Sequence, residues 1–175
     1  MSALTHPLSV ADGRLWLGAP PVAGGRGIAL TTDGVVLHDL DVDPTTVPWS
    51  EVTGLEAVVE VSRWRRPAVA SWTFGLLGAA LDVFTPGVPD DVGLRIETAA
   101  GTVEHAANAH NRGGYPRDRV AALHALLDLL GHDADERGTL AEPDAVRDAF
   151  DRAADEAAQG GRPETALRPL AARGR

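Results

Sequence analysis

Ile28 to Thr32, an Asp33-Gly34 pair and Val35 to His38 are followed a short loop later by Val47-Pro-Trp-Ser-Glu-Val52, and this stretch narrows the fold more than any other. Apolar runs on either side of Asp-Gly predict a tight hairpin, because that dipeptide readily supplies the positive φ angles of a type I′ turn. Pro48 and Trp49 then read as the entry to a new strand, a position where the missing proline N–H costs least. Three strands within about thirty residues argue for a small antiparallel β-domain and against the α/β architectures that commonly carry catalysis.

The remainder of the chain extends that pattern. Residues 1–13 read as irregular, with Pro7 and Asp12-Gly13 as turn signals, and Arg14 to Leu17 as a first short strand. Val52, Leu55, Val58, Val59 and Val61 fit a long strand with a bend or bulge at Gly54. Val92 to Thr98 and Thr102 to Ala107 flank Ala99-Ala-Gly101 as a second hairpin, with Leu94 and Ile96 on one face and Arg95 and Glu97 on the other. Pro116 to Leu130 is the clearest helix: Val120, Leu123, Leu126, Leu127 and Leu130 make one apolar stripe, with Gly131 as its expected stop. Beyond it, residues 132–175 hold many acids and arginines and little to bury. A solvated helix over Ala145 to Ala158 and a flexible tail from Gly160 are expected there.

Between the two hairpins lies a stretch of different character. Arg63-Trp-Arg-Arg66 is a basic and aromatic cluster, and Ala68 to Phe84 is almost wholly apolar. The run is shorter than the roughly 20 apolar residues a membrane span needs, and its Gly75 and Gly78 leave strand, helix and loop all open.

This order of elements resembles the bacterial PH-like domains. The resemblance rests on Leu30-Thr-Thr-Asp-Gly-Val-Val-Leu37, Val47-Pro-Trp-Ser-Glu-Val52, Leu94-Arg-Ile-Glu-Thr98 with its Gly101 turn, and the helix at 116–130, and it covers about residues 14–131. It implies a mainly β (α+β) fold: a curved antiparallel sheet forming a half-open barrel, capped by one C-terminal amphipathic helix. The corresponding division is a PH-like β-domain over 1–131 with an apolar insertion at 65–91, then a charged helical extension over 132–175. Phosphoinositide-binding members of the wider fold use clustered Lys and Arg in an early loop; here Gly18 to Gly27 offers only Arg26, so inositol-lipid binding is not implied.

Composition bounds function. The formal charge of −9 disfavours nucleic acid as a partner and loose adhesion to an anionic membrane. There is no cysteine, which removes disulfides, thiolate zinc sites and thiol nucleophiles. All sixteen basic residues are arginine, so neither a Schiff base nor a phosphate-loop lysine can form. Arginine in place of lysine, with abundant alanine and glycine, is the bias of a high-GC bacterial genome. No secretory signal is visible in Met1 to Val10, and the expected compartment is the cytoplasm.

Chemical motifs are missing. Asp39, Asp41 and Asp43 suggest a calcium loop, but Pro44 and Ser50 stand where an EF-hand needs glycine and a bidentate glutamate, so a solvated loop is preferred. His105, His110, His124 and His132 make no helical ligand pair. None of the serines lies in a Gly-x-Ser-x-Gly elbow, and no glycine cluster matches a phosphate-binding loop. No catalytic residue, cofactor or metal is therefore assigned. The expectation is a non-catalytic module that meets a protein partner, or another copy of itself, through Arg63, Trp64, Arg65, Arg66, Trp72 and Phe84. The weighed alternatives are ordinary core for the same segment, a peripheral membrane anchor with weak surface contact and, less favoured, a small enzyme.

Overall fold

The computed structural model describes residues 6–21, 25–59, 61, 91–108 and 114–168. Eight strands come first: β1 (Leu8–Ala11), β2 (Arg14–Leu17), β3 (Gly27–Leu30), β4 (Gly34–His38), β5 (Thr45–Pro48), β6 (Val52–Val58), β7 (Asp91–Thr98) and β8 (Gly101–Asn108). Helices α1 (Arg117–His132), α2 (Ala134–Arg137), α3 (Pro143–Ala158) and α4 (Pro163–Leu167) follow, with a 3-10 turn at Gly138–Ala141. The strands form two antiparallel sheets, β1-β2-β3-β4-β5 and β6-β7-β8, so the fold is a mixed α+β arrangement in which the sheets do not close into a barrel.

Period-two burial drives this. Leu15 and Leu17, Ile28 and Leu30, Val35 and Leu37, and Val47 face one core from the larger sheet; Val92, Leu94 and Ile96 face it from the smaller. The α1 stripe closes that core as expected, with Val120, Leu123, Leu126, Leu127 and Leu130 all buried. The helix runs through Gly131 rather than stopping there. Arg137 then reaches back to its end, donating from Nε to the Leu130 carbonyl and from an Nη to that of Gly131, 2.8 Å each.

Three local differences from the sequence reading have physical causes. Residues 8–11, expected to be irregular, are a strand. Asp12 and Gly13 form the two-residue turn to β2, with φ of 52° and 68°. At the other Asp-Gly pair the turn shifts by one residue. Leu30 pairs with Val35, the Thr31 N–H donates to the Gly34 carbonyl at 3.0 Å, and Gly34 sits in β4 without a positive φ. Pro48 ends β5, and Trp49 to Val52 turns into β6, with the Val52 N–H donating to the Trp49 carbonyl at 3.3 Å. The irregularity foreseen at Gly54 is present, as a register shift between Val52 and Gly54 against β7.

The largest difference is at the C-terminus. Helix α3 is not a solvated element: Val146, Ala149, Phe150, Ala153 and Ala154 are essentially fully buried and share the core with the strands and α1. Their spacing is that of an amphipathic helix, but its narrow alanine face carries little apolar bulk in sequence while allowing close approach to α1. Past Gly160 the chain still makes α4, whose Leu167 is buried too.

Candidate interaction surface

Residues Arg63, Trp64, Arg65, Arg66, Trp72 and Phe84 lie outside the described residues. The chain leaves the smaller sheet after Val58 and re-enters it at Asp91, on adjacent strands in which Val58 pairs with Gly93.

On the outer face of that sheet the side chains form rows across the strands. Val58, Gly93 and Ala106 make one row, and Glu56, Arg95 and Glu104 the next. The first is apolar and small. At Gly93 an added Cβ would stand 3.1 Å from the Val58 Cβ, a tight contact that Val58 would have to relieve by a few tenths of an ångström. The second row is a charged ridge: Arg95 donates to Glu56 at 2.8 Å and to Glu104 at 2.9 Å. Hydrogen bonding to Glu104, then the two carboxylate charges, push the Arg95 pKa further up, so it is a permanent cation.

A shallow groove of about 430 Å³ follows the apolar row. Its far wall comes from the larger sheet, where Arg26 holds Asp39 at 3.1 Å, and from His105, whose Nε2 lies 2.7 Å from the His38 carbonyl oxygen. The backbone N–H of Leu40 and the Arg26 guanidinium hold the Asp39 carboxyl below the usual range. Val58 and Val61 are each about half exposed. The surface thus combines a small apolar strip with paired, not free, charges.

Two titratable clusters lie elsewhere, and neither was legible in the sequence. His6 is buried before β1. Its Nδ1 accepts the Leu8 N–H at 3.1 Å, and its Nε2 meets Asp151 Oδ1 of α3 at 3.1 Å. Arg119 of α1 also binds Asp151, and the His6 ring lies 4.8 Å from that of Phe150. Burial first, then the charge of Arg119, lower the His6 pKa. Burial alone would raise the Asp151 pKa, but the Arg119 hydrogen bond and His6 outweigh it and hold it down. In α2, Glu136 is buried with no hydrogen-bond partner for Oε2; burial, then Asp133 and Asp135, push its pKa up. The partners in each cluster come from elements that meet only on folding, or depend on burial, so no local motif announces them.

Among the described residues no group of three or more His, Asp or Glu side chains could hold a metal ion, and no helix is long and apolar enough to cross a membrane. Asp39, Asp41 and Asp43 belong to the exposed turn between β4 and β5, where Asp39 is engaged by Arg26. His124, beside the α1 stripe, is exposed, and its Nε2 lies 3.1 Å from the Ala57 carbonyl oxygen. No family model, no curated protein and no solved structure matches the chain.

Proposed function

We propose that the chain is a non-catalytic, cytoplasmic interaction module on a PH-like half-open framework, which binds a protein partner or another copy of itself through Arg63, Trp64, Arg65, Arg66, Trp72 and Phe84. One observation carries the reading. The segment bearing these residues connects β6 to β7, adjacent strands of the smaller sheet, at the end where Val58, about half exposed, stands in a row with the partly buried Gly93 and Ala106. A basic and apolar stretch held at that place can present aromatic anchors and arginines together, the combination that interface cores favour. The PH-like reading draws support from the order of elements: a larger antiparallel sheet, a three-stranded one, then a helix packed across the core.

The test is light scattering and vesicle flotation on the full chain and on a Trp64→Ser, Trp72→Ser, Phe84→Ser variant. A variant that keeps its circular dichroism but loses association supports the reading. A variant that unfolds places these side chains in the core and removes the proposed site. Salt-sensitive flotation of the full chain with anionic vesicles, abolished in the variant, replaces a protein partner with a membrane surface.

A further inference from the structure

Among the described residues one histidine and one glutamate are buried, His6 and Glu136, and the fold provides for them differently. His6 has a partner at each ring nitrogen, the Leu8 N–H at Nδ1 and Asp151 at Nε2. Glu136 is 2% exposed, its Oε2 has no hydrogen-bond partner, and no cation pairs with it. The charges that act on it are like charges, those of Asp133 and Asp135.

Its surroundings supply no remedy. α2 packs against α1 and the 3-10 turn. At the end of α1, His132 faces Asp128 on the surface, and the turn itself, Gly138–Ala141, holds no charged residue. Arg137, the next residue, is committed to the Leu130 and Gly131 carbonyls. A carboxylate kept from water without a cation is costly, so this side chain either holds a proton or turns outward. The choice reaches beyond one residue, because residues 133–142 join α1 to α3, two helices of the core. The Asp133 N–H donates to the Leu129 carbonyl at 2.9 Å, and Asp133 Oδ1 accepts the Asp135 N–H at 2.9 Å. The Thr139 hydroxyl donates to the Glu136 carbonyl, and the Glu142 N–H to that of Thr139 at 2.9 Å. Of this connection only Glu136 and Leu140 are buried.

We propose that Glu136 is a proton-held latch: with its carboxyl protonated the connection between α1 and α3 is seated, and ionisation turns the carboxylate out to water and loosens residues 133–142. Burial, then Asp133 and Asp135, raise its pKa above the ordinary 4.5. Between 4.5 and the folded value, the folded chain binds the proton more readily than the unfolded one. Stability therefore falls as pH rises through that window, and the loss is complete above it. The opening is local, because α1 and α3 keep their own buried faces. The inference rests on α2 and its neighbours and stands independently of residues 63–84.

Carbon NMR of the Glu136 carboxyl in the full chain, assigned through bonds, follows the proton directly, and a midpoint above 4.5 is expected. A midpoint at or below that value overturns the proposal, because the side chain is then solvated or paired. Hydrogen exchange reads the latch itself. After correction for the intrinsic rate, Asp133 and Glu142 should exchange faster as pH rises through the midpoint, while Leu126 in the middle of α1 is unchanged. Glu136→Gln, which mimics the protonated carboxyl, should remove that dependence. Exchange at Asp133 and Glu142 that ignores pH in the wild-type chain, or that rises equally in the variant, overturns the latch. Urea unfolding gives a third reading: the midpoint of Glu136→Gln should gain on that of the wild type between about pH 4 and about pH 8. A difference that stays constant across that range also overturns it.

Discussion

The hairpins β1-β2 and β3-β4 carry the same Asp-Gly dipeptide and use it differently. In the first, Asp12 and Gly13 are the turn, both at positive φ, and an added Cβ on Gly13 would meet nothing within 4 Å. In the second, Thr32 and Asp33 form the tip and Gly34 is a strand residue against which β5 packs. A Cβ there would stand 2.3 Å from the Val47 carbonyl oxygen and 2.9 Å from the Pro48 Cα. One glycine is chosen for its backbone angle, the other for the space it leaves. The dipeptide specifies a turn only when no third strand competes for the glycine.

Substitution separates the two roles. Gly34→Ala should destabilise by about 3 kcal/mol, because the obstructing atoms are backbone and cannot rotate away. Chemical denaturation measures this; a loss below that of Gly13→Ala would break the comparison. Trp49 braces the same hairpin from below: its Nε1 donates to the Thr31 carbonyl at 2.8 Å, and the Arg137 guanidinium lies 5.1 Å over its ring. Trp49→Phe keeps most of the bulk, loses the donor and leaves the Thr31 carbonyl without it, for an expected cost of about 1.5 kcal/mol. Gly13→Ala should cost about 1 kcal/mol, all of it left-handed backbone strain with no steric part. Gly13→Asn, which tolerates that region better, should recover much of the loss.

What could be read in advance divides along the same line. The strand alternation, the β7-β8 hairpin, the Gly54 irregularity and the α1 stripe were legible because each is written in residues close in sequence. The phase of the β3-β4 turn was not, because Val47 and Pro48 decide it from a different strand. Helix α3 was misread as solvated for a related reason. Ala149, Ala153 and Ala154 bury completely while contributing little apolar bulk, and only the elements that pack on it, α1 and the β1-β2 hairpin among them, make that face a core face. Residues 63–84 stood out by composition and lie outside the described residues, whereas the groove along Val58 and Gly93 depends on Arg26 and Asp39, which flank strands of the other sheet, and on His105 of β8.

The smallest expected difference between the two hairpins is in their response to acid. The brace under β3-β4 is an indole and an arginine, neither of which titrates near neutrality. The brace before β1 is His6. Because its Nδ1 accepts the Leu8 N–H, the ring is neutral with its proton on Nε2, directed at Asp151. Burial, then Arg119, with a smaller contribution from Arg147, lower its pKa, while the opposing pull of Asp151 is outweighed. With the folded pKa below the ordinary 6.5, the unfolded chain binds the proton more readily in the window between the two values. The contribution of His6 to stability is therefore fully present above about pH 6.5 and declines as pH falls toward the folded value. The slope should stay well under the roughly 1.4 kcal/mol per pH unit that one fully linked proton would give. Hydrogen exchange gives the local test: acidification through this window, after correction for the intrinsic rate, should accelerate exchange at Leu8 and Ser9 and leave Val36 unchanged. His6→Gln should remove the pH dependence. Equal acceleration in both hairpins would mean that acid opens the whole sheet, and that the His6 clasp has no separate hold on β1.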